Sequence, residues 1–166
     1  MRISFDLDDT LVCYRAGVLQ ELRLGWLLRL LTHDEPLRLG TPELMRQLRQ
    51  RGWEVWVYTT SHRRPAAVRR WLRWHGVHVD GIVNQDVHDW HLRRSSQDRP
   101  PSKNPAAFGI DLHVDDSEGV RIEGEQHGFQ VVVVAPDDRD WTAKVLRAAD
   151  ELELRLRQSA TAGRPT

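Results

Sequence analysis

The sequence predicts a three-layer α/β domain with a mainly parallel sheet of about five strands. Apolar, strand-like runs recur along the chain, the segments between them carry helical apolar spacing, and those intervals suit crossovers on both faces of a sheet. In such a sheet, chemistry collects at the C-terminal ends of the strands.

Taking the elements in order, Arg2-Ile-Ser-Phe-Asp-Leu7 alternates and then runs into the polar turn Asp8 to Thr10, which predicts the first strand. From Val18 to Leu31, leucines at 19, 22, 27, 28, 30 and 31 together with Trp26 predict a helix that packs on two sides or covers a site. Thr41-Pro42-Glu43-Leu44 reads as an N-cap followed by proline at the first helical position, with Leu44, Met45 and Leu48 on one face and Gly52 as the stop. Trp53 to Tyr58 is the second strand. A helix opens at Ser61 to Pro65, places Val68, Trp71, Leu72 and His75 at helical spacing, and closes at Gly76. Val79 to Val83 is a short strand.

Asn84 to Pro105 is polar and holds Pro100, Pro101 and Pro105, so it is expected to carry no element of its own and to lie beside the site. His88, Asp89 and His91 in it match no familiar ligand spacing and are read as loop residues on the rim. Phe108 to Val114 is the fourth strand, Glu118 to His127 a short helix, and Phe129 to Val134 a buried-type strand. Trp141 to Leu156, capped near Asp140, closes a single domain over residues 1–157, and residues 158–166 are expected to be a disordered tail.

Composition narrows the function. Lys plus Arg and Asp plus Glu both number 24, so net charge gives no support for a nucleic-acid partner, which would need a local patch. The Arg-rich stretch His62, Arg63, Arg64, Arg69, Arg70 and Arg73 is such a patch, read first as a solvated helix face. The single cysteine, Cys13, excludes an intramolecular disulfide and a multi-cysteine zinc site; it is expected to be a small buried hydrophobe and fits a cytoplasmic location. Gln20, Glu21, Arg23 and Arg29 break the longest apolar stretch, and the N-terminus opens into a strand, so neither a membrane partner nor a signal peptide is expected.

The strand ends bring together Asp6 and Asp8, Thr59 to Ser61, and Asp115 with Asp116. Lys103, before the fourth strand, supplies a cation among carboxylates that would otherwise repel one another. So oxygen-rich a set suits Mg2+, which takes few carboxylates and keeps several waters.

Phe5-Asp6-Leu7-Asp8-Asp9-Thr10-Leu11 resembles the first motif of the haloacid dehalogenase (HAD) superfamily, most of whose members are magnesium-dependent phosphatases. The family's later motifs are a Thr or Ser ending the next core strand, a Lys, and an acidic pair, matched in order by Thr59, Lys103 and Asp115-Asp116. The resemblance covers about residues 1–150 and implies a Rossmann-like, phosphatase-type member. It implies a phosphomonoesterase in which Asp6 is the nucleophile that forms an aspartyl-phosphate and Asp8 the general acid and base. Thr59 and Lys103 would act on the phosphoryl charge. Thr60 or Ser61 takes the place of Thr59 if the strand ends later; Thr60, Ser61 and Arg63 are otherwise assigned to substrate binding. Asp6, Asp8 through its carbonyl, Asp115 and Asp116 are the metal ligands implied, and the last two are open to exchanging roles.

The intervals Leu11 to Gly40 and Gly76 to Lys103 are too short for a full cap domain. An open site favours a bulky phosphorylated substrate, or a neighbouring subunit as lid, so oligomerisation is in view. The alternatives weighed are a catalytically silent binding module and a receiver-like phosphorylatable signalling domain. Receivers place their Lys after the other motifs, whereas Lys103 precedes the last acidic pair.

Overall fold

The computed structural model describes residues 1–22, 35–94 and 101–162. Its elements, in chain order, are β1 (Arg2–Phe5), α1 (Thr41–Gln50), β2 (Glu54–Tyr58), α2 (Pro65–Trp74) and β3 (Gly81–Val83). Then follow α3 (Gln85–Leu92), a 3-10 turn (Pro105–Phe108), β4 (Leu112–Asp115), α4 (Glu118–His127), β5 (Val131–Val133) and α5 (Trp141–Ala162).

All strand pairs are parallel, in the order β3-β2-β1-β4-β5. The chain builds outward from β1 to β3, then returns to the other side of β1 for β4 and β5. That reversal splits the connections leaving β1 and β4 to opposite sides and opens a crevice at their C-terminal ends, where α/β sheets bind ligands. Phe5 lies level with Val57 on one side and Val114 on the other, so the residues just after β1 and at the end of β4 emerge side by side.

The core is continuous. Ile3, Phe5, Val55, Val57 and Val114 are fully buried, and Leu44, Leu48, Leu72, Val145 and Ala149 close over the sheet from the helices. Burying a residue such as Leu or Val contributes about 1.5–3 kcal/mol, so this core holds the crevice rigid. Cys13 is buried as expected, and burial pushes its thiol up to about 11.

Several expectations need correcting. Val18 to Leu22 is not helical; Gln20 bridges Arg38 and Val12 bridges Leu37, which makes a small antiparallel flap. The remainder of the helix expected over 18–31, and Trp26 with it, lies outside the described residues. Thr41 is not the cap of α1: Gly40 is, at φ 88, and the Thr41 hydroxyl donates to the Arg38 carbonyl at 2.7 Å. The segment after Val83 does carry an element, α3, whose N-cap Asn84 accepts the Val87 N–H at 3.1 Å. Its polar sequence hid it, because His88 is the only buried residue on the helix.

The fourth strand is shorter than expected. Pro105–Phe108 coils into the 3-10 turn, ended by Gly109 at φ 64, and pairing begins at Leu112. β5 is an edge strand whose residues are half-buried, since only β4 pairs with it. α5 runs past Leu156 to Ala162, and residues 163–166 lie outside those described.

Candidate active site

Asp6 directly follows β1 and extends its pairing by one step, its N–H donating to the Val114 carbonyl at 2.8 Å. The chain then reverses tightly: Leu11 and Val12 both donate to the Leu7 carbonyl, and Asp9 sits at φ 56, the left-handed region that aspartate tolerates better than most residues. This turn leaves Asp6 buried in the crevice and Asp8 at its mouth, with half of the Asp8 side chain exposed.

Lys103 joins the two central strands. Its Nζ lies 2.6 Å from Asp6 Oδ1 and 2.5 Å from Asp115 Oδ2, and all three side chains are buried. One ammonium between two carboxylates leaves a net negative charge in a dry place, and the two acids respond in opposite directions. Burial pushes Asp6 up to about 7 against the pull of Lys103, and the neighbouring Asp115 adds to the rise. Burial alone would raise Asp115 as well, yet the His113 hydrogen bond and the Lys103 charge hold it well below the usual carboxylate range. Asp115 is therefore the permanently ionised member.

His113 completes this cluster, and the sequence reading missed it because in Leu-His-Val-Asp it passes for one more inward strand residue. It is fully buried, with Nε2 3.0 Å from Asp115 Oδ2 and Nδ1 2.8 Å from Ser4 Oγ. Burial lowers its pKa and favours the neutral ring. Neutral His113 then donates from Nε2 to Asp115 and accepts the Ser4 hydroxyl proton at Nδ1. The Ser117 N–H takes the other Asp115 oxygen at 2.9 Å. Asp116 is half-buried and shifted upward by burial and by Asp115.

At the end of β2, Thr59 donates its N–H to the Val83 carbonyl at 2.9 Å, and its Oγ1 accepts the Ser61 N–H at 3.1 Å. Thr60 is exposed and Ser61 half-buried. Arg63 stands at the mouth, donating to both oxygens of Asp8 at 2.8 Å and through Nε to Glu35 at 3.0 Å. Of the other basic residues in that stretch, Arg69 caps the Val79 carbonyl and His62 pairs with Asp86.

The structure therefore brings together Asp6, Lys103 and Asp115 in the crevice, Thr59 on the adjoining strand end, and Asp8 with Arg63 at the rim. His88, Asp89 and His91, expected in a loop, lie on α3, where His88 is buried against the Tyr58 hydroxyl. Among the described residues no three His, Cys, Asp or Glu side chains converge as a metal cluster. Magnesium needs no such cluster, since one or two carboxylates, a main-chain carbonyl and waters suffice. The all-oxygen set of Asp6, Asp115, Asp116 and the Asp8 carbonyl fits that chemistry. No described helix is long and apolar enough to cross a membrane.

No family model and no curated protein matches the chain. Among solved structures it is similar to a chain of the Pnkp1/Rnl/Hen1 complex, at 15% identity and a TM-score of 0.51, over 80% of this chain and 45% of that one. It thus spans less than half the length of that chain. A predicted HAD-like family hydrolase from Porphyromonas gingivalis matches over 89% of this chain and 97% of its own, at 13% identity and a TM-score of 0.49. The architecture is that of an α/β, Rossmann-like domain.

Proposed function

We propose that this chain is a magnesium-dependent phosphomonoesterase working through an aspartyl-phosphate on Asp6. The observation that carries the reading is Lys103 clamped between Asp6 and Asp115 at the crevice. A buried lysine shared by two carboxylates is costly as structure alone, because replacing a buried ionic group by apolar residues is often neutral or stabilising.

In this reading Asp6 uses Oδ2, the oxygen that Lys103 does not hold, to attack phosphorus. The O–P bond to Asp6 forms as the bond to the leaving oxygen breaks, and Asp8 gives that oxygen its proton. Asp8, now a carboxylate, takes a proton from the water that attacks phosphorus, and phosphate departs as the Asp6–phosphorus bond breaks. Thr59 donates to a phosphoryl oxygen, and Lys103 offsets charge on the nucleophile and the transferring group. Asp6, Asp115, Asp116 and the Asp8 carbonyl would hold magnesium, whose positive charge would stabilise the equatorial phosphoryl oxygens. An open site would suit a bulky phosphorylated substrate, whose remainder Thr60, Ser61 and Arg63 would contact.

The test is phosphate release from p-nitrophenyl phosphate and from a panel of phosphorylated metabolites, peptides and oligonucleotides, with magnesium or with chelator. Wild type should release phosphate only with magnesium, and Asp6→Asn should release none. Inactivity of the wild type on every member would instead favour a binding module that keeps the pocket without turnover.

A further inference from the structure

Lys103 reaches the crevice from a segment without regular structure, between Pro101 and the 3-10 turn. An ammonium seated within hydrogen-bond distance of two carboxylates requires that segment's backbone to be fixed, and no strand pairs with it. Two side-chain anchors do so instead. On one flank, Ser102 donates its N–H at 3.0 Å and its hydroxyl at 2.6 Å to Glu123 on α4. On the other, the Asn104 N–H donates to the Tyr58 hydroxyl at 2.8 Å, and that oxygen lies 2.5 Å from His88 Nδ1.

Tyr58 is fully buried and His88 nearly so. A phenol oxygen carries one proton, so Tyr58 accepts from Asn104 and gives its proton to His88 Nδ1, which leaves the ring proton of His88 on Nε2. Burial supports the arrangement by keeping the phenol protonated and His88 neutral. The ring itself packs edge-on against Phe108 at 5.6 Å, a contact that phenylalanine would make equally well. The hydroxyl is thus the part of Tyr58 that packing does not explain. Tyr58 is also the last residue of β2, so the strand that presents Thr59 simultaneously holds the neighbour of Lys103.

We propose that Tyr58, oriented by His88, is a positioning residue for Lys103: its hydroxyl pins the backbone at Asn104 and so fixes the ammonium between Asp6 and Asp115. The catalytic consequence rests on the phosphatase reading; the anchoring itself does not.

The experiment uses Tyr58→Phe, with His88→Leu and His88→Asn as a pair, because the Asn amide oxygen can stand where Nδ1 accepts. Amide hydrogen exchange at Asn104 should quicken about tenfold in Tyr58→Phe and His88→Leu, as loss of one hydrogen bond implies, and should return towards wild type in His88→Asn. The Lys103 side-chain NMR signal should shift in the first two variants, and kcat should fall about tenfold with KM unchanged. Unchanged exchange at Asn104, or an unmoved Lys103 signal in a folded Tyr58→Phe protein, overturns the proposal. If the wild type proves inactive on every substrate, the exchange and NMR readings still decide the anchoring, and only the phosphatase reading falls.

Discussion

The Arg63 guanidinium grips both carboxylate oxygens of Asp8, each at 2.8 Å, while a third nitrogen holds Glu35. A bidentate pair of this kind fixes the carboxylate plane as well as its charge. Both Asp8 oxygens accept in this pair, so in the proposed reaction a phosphoryl anion entering the mouth would compete for the guanidinium and free Asp8 to carry the proton it delivers. Truncating Arg63 to Ala should lower kcat on alkyl phosphates by about tenfold, a fraction of the 10²–10⁴ that an acid–base group supplies. The loss should be smaller on p-nitrophenyl phosphate, whose leaving group needs no proton. Equal losses on the two substrates would show that Arg63 does not act through Asp8.

Ser4 contributes to the site from a position with no access to substrate. Its hydroxyl is the only partner of His113 Nδ1 among the described residues, and both side chains are fully buried. Ser4→Ala should cost about 1–3 kcal/mol in urea unfolding, the penalty of an unsatisfied buried polar atom. Ser4→Cys or Ser4→Thr, which keep a donor, should cost less. A neutral Ser4→Ala would mean that His113 turns to another partner.

Much of this site is legible in the chain because its acids fall at the ends of apolar runs. Asp6 after Ile3-Ser-Phe5 and Asp115 after Leu112-His-Val114 are strand ends in the structure as in the pattern, and Glu118–His127 forms the helix its spacing predicts. The partners of those acids are another matter. Arg63 and Asp8 lie 55 positions apart in the chain, and His88 and Tyr58 lie 30 apart, so their pairing is decided by tertiary packing. α3 escapes detection for a related reason: a helix that buries one histidine has almost no apolar stripe to read. β5 reads as buried because valines recur, yet its place at the sheet edge depends on strand order, which periodicity does not encode.

His88 gives the fold an acid-sensitive point. Burial lowers its pKa from the ordinary 6.5, so the unfolded chain takes up its proton at a pH where the folded chain does not. Stability from this group is present above about pH 6.5 and is lost as pH falls below it. Protonation would also place a hydrogen on Nδ1, where Tyr58 now donates. Thermal midpoints of wild type should drop as pH is lowered from 7 towards 5, and His88→Asn should drop less steeply. Parallel curves for the two proteins would remove His88 as the cause.

Gly81 tests whether the outer strand matters to the site or only to the fold. It pairs in register with Trp56, and a Cβ added there would stand 2.3 Å from the indole Cε3. Trp56 has little freedom to retreat, because the Arg2 guanidinium covers its ring at 4.3 Å and Arg2 is itself paired with Glu54. Gly81→Ala should therefore destabilise by about 1–3 kcal/mol, the usual cost of overpacking, read as a lower urea midpoint at unchanged m-value. The strain falls two residues before Val83, whose carbonyl receives the Thr59 N–H, and β2 remains paired with β1 from Glu54 to Val57. Activity per folded molecule should accordingly stay within about twofold of wild type. A large loss of kcat with little loss of stability would mean that β3 sets the position of Thr59 more directly than the register of β2 on β1 does.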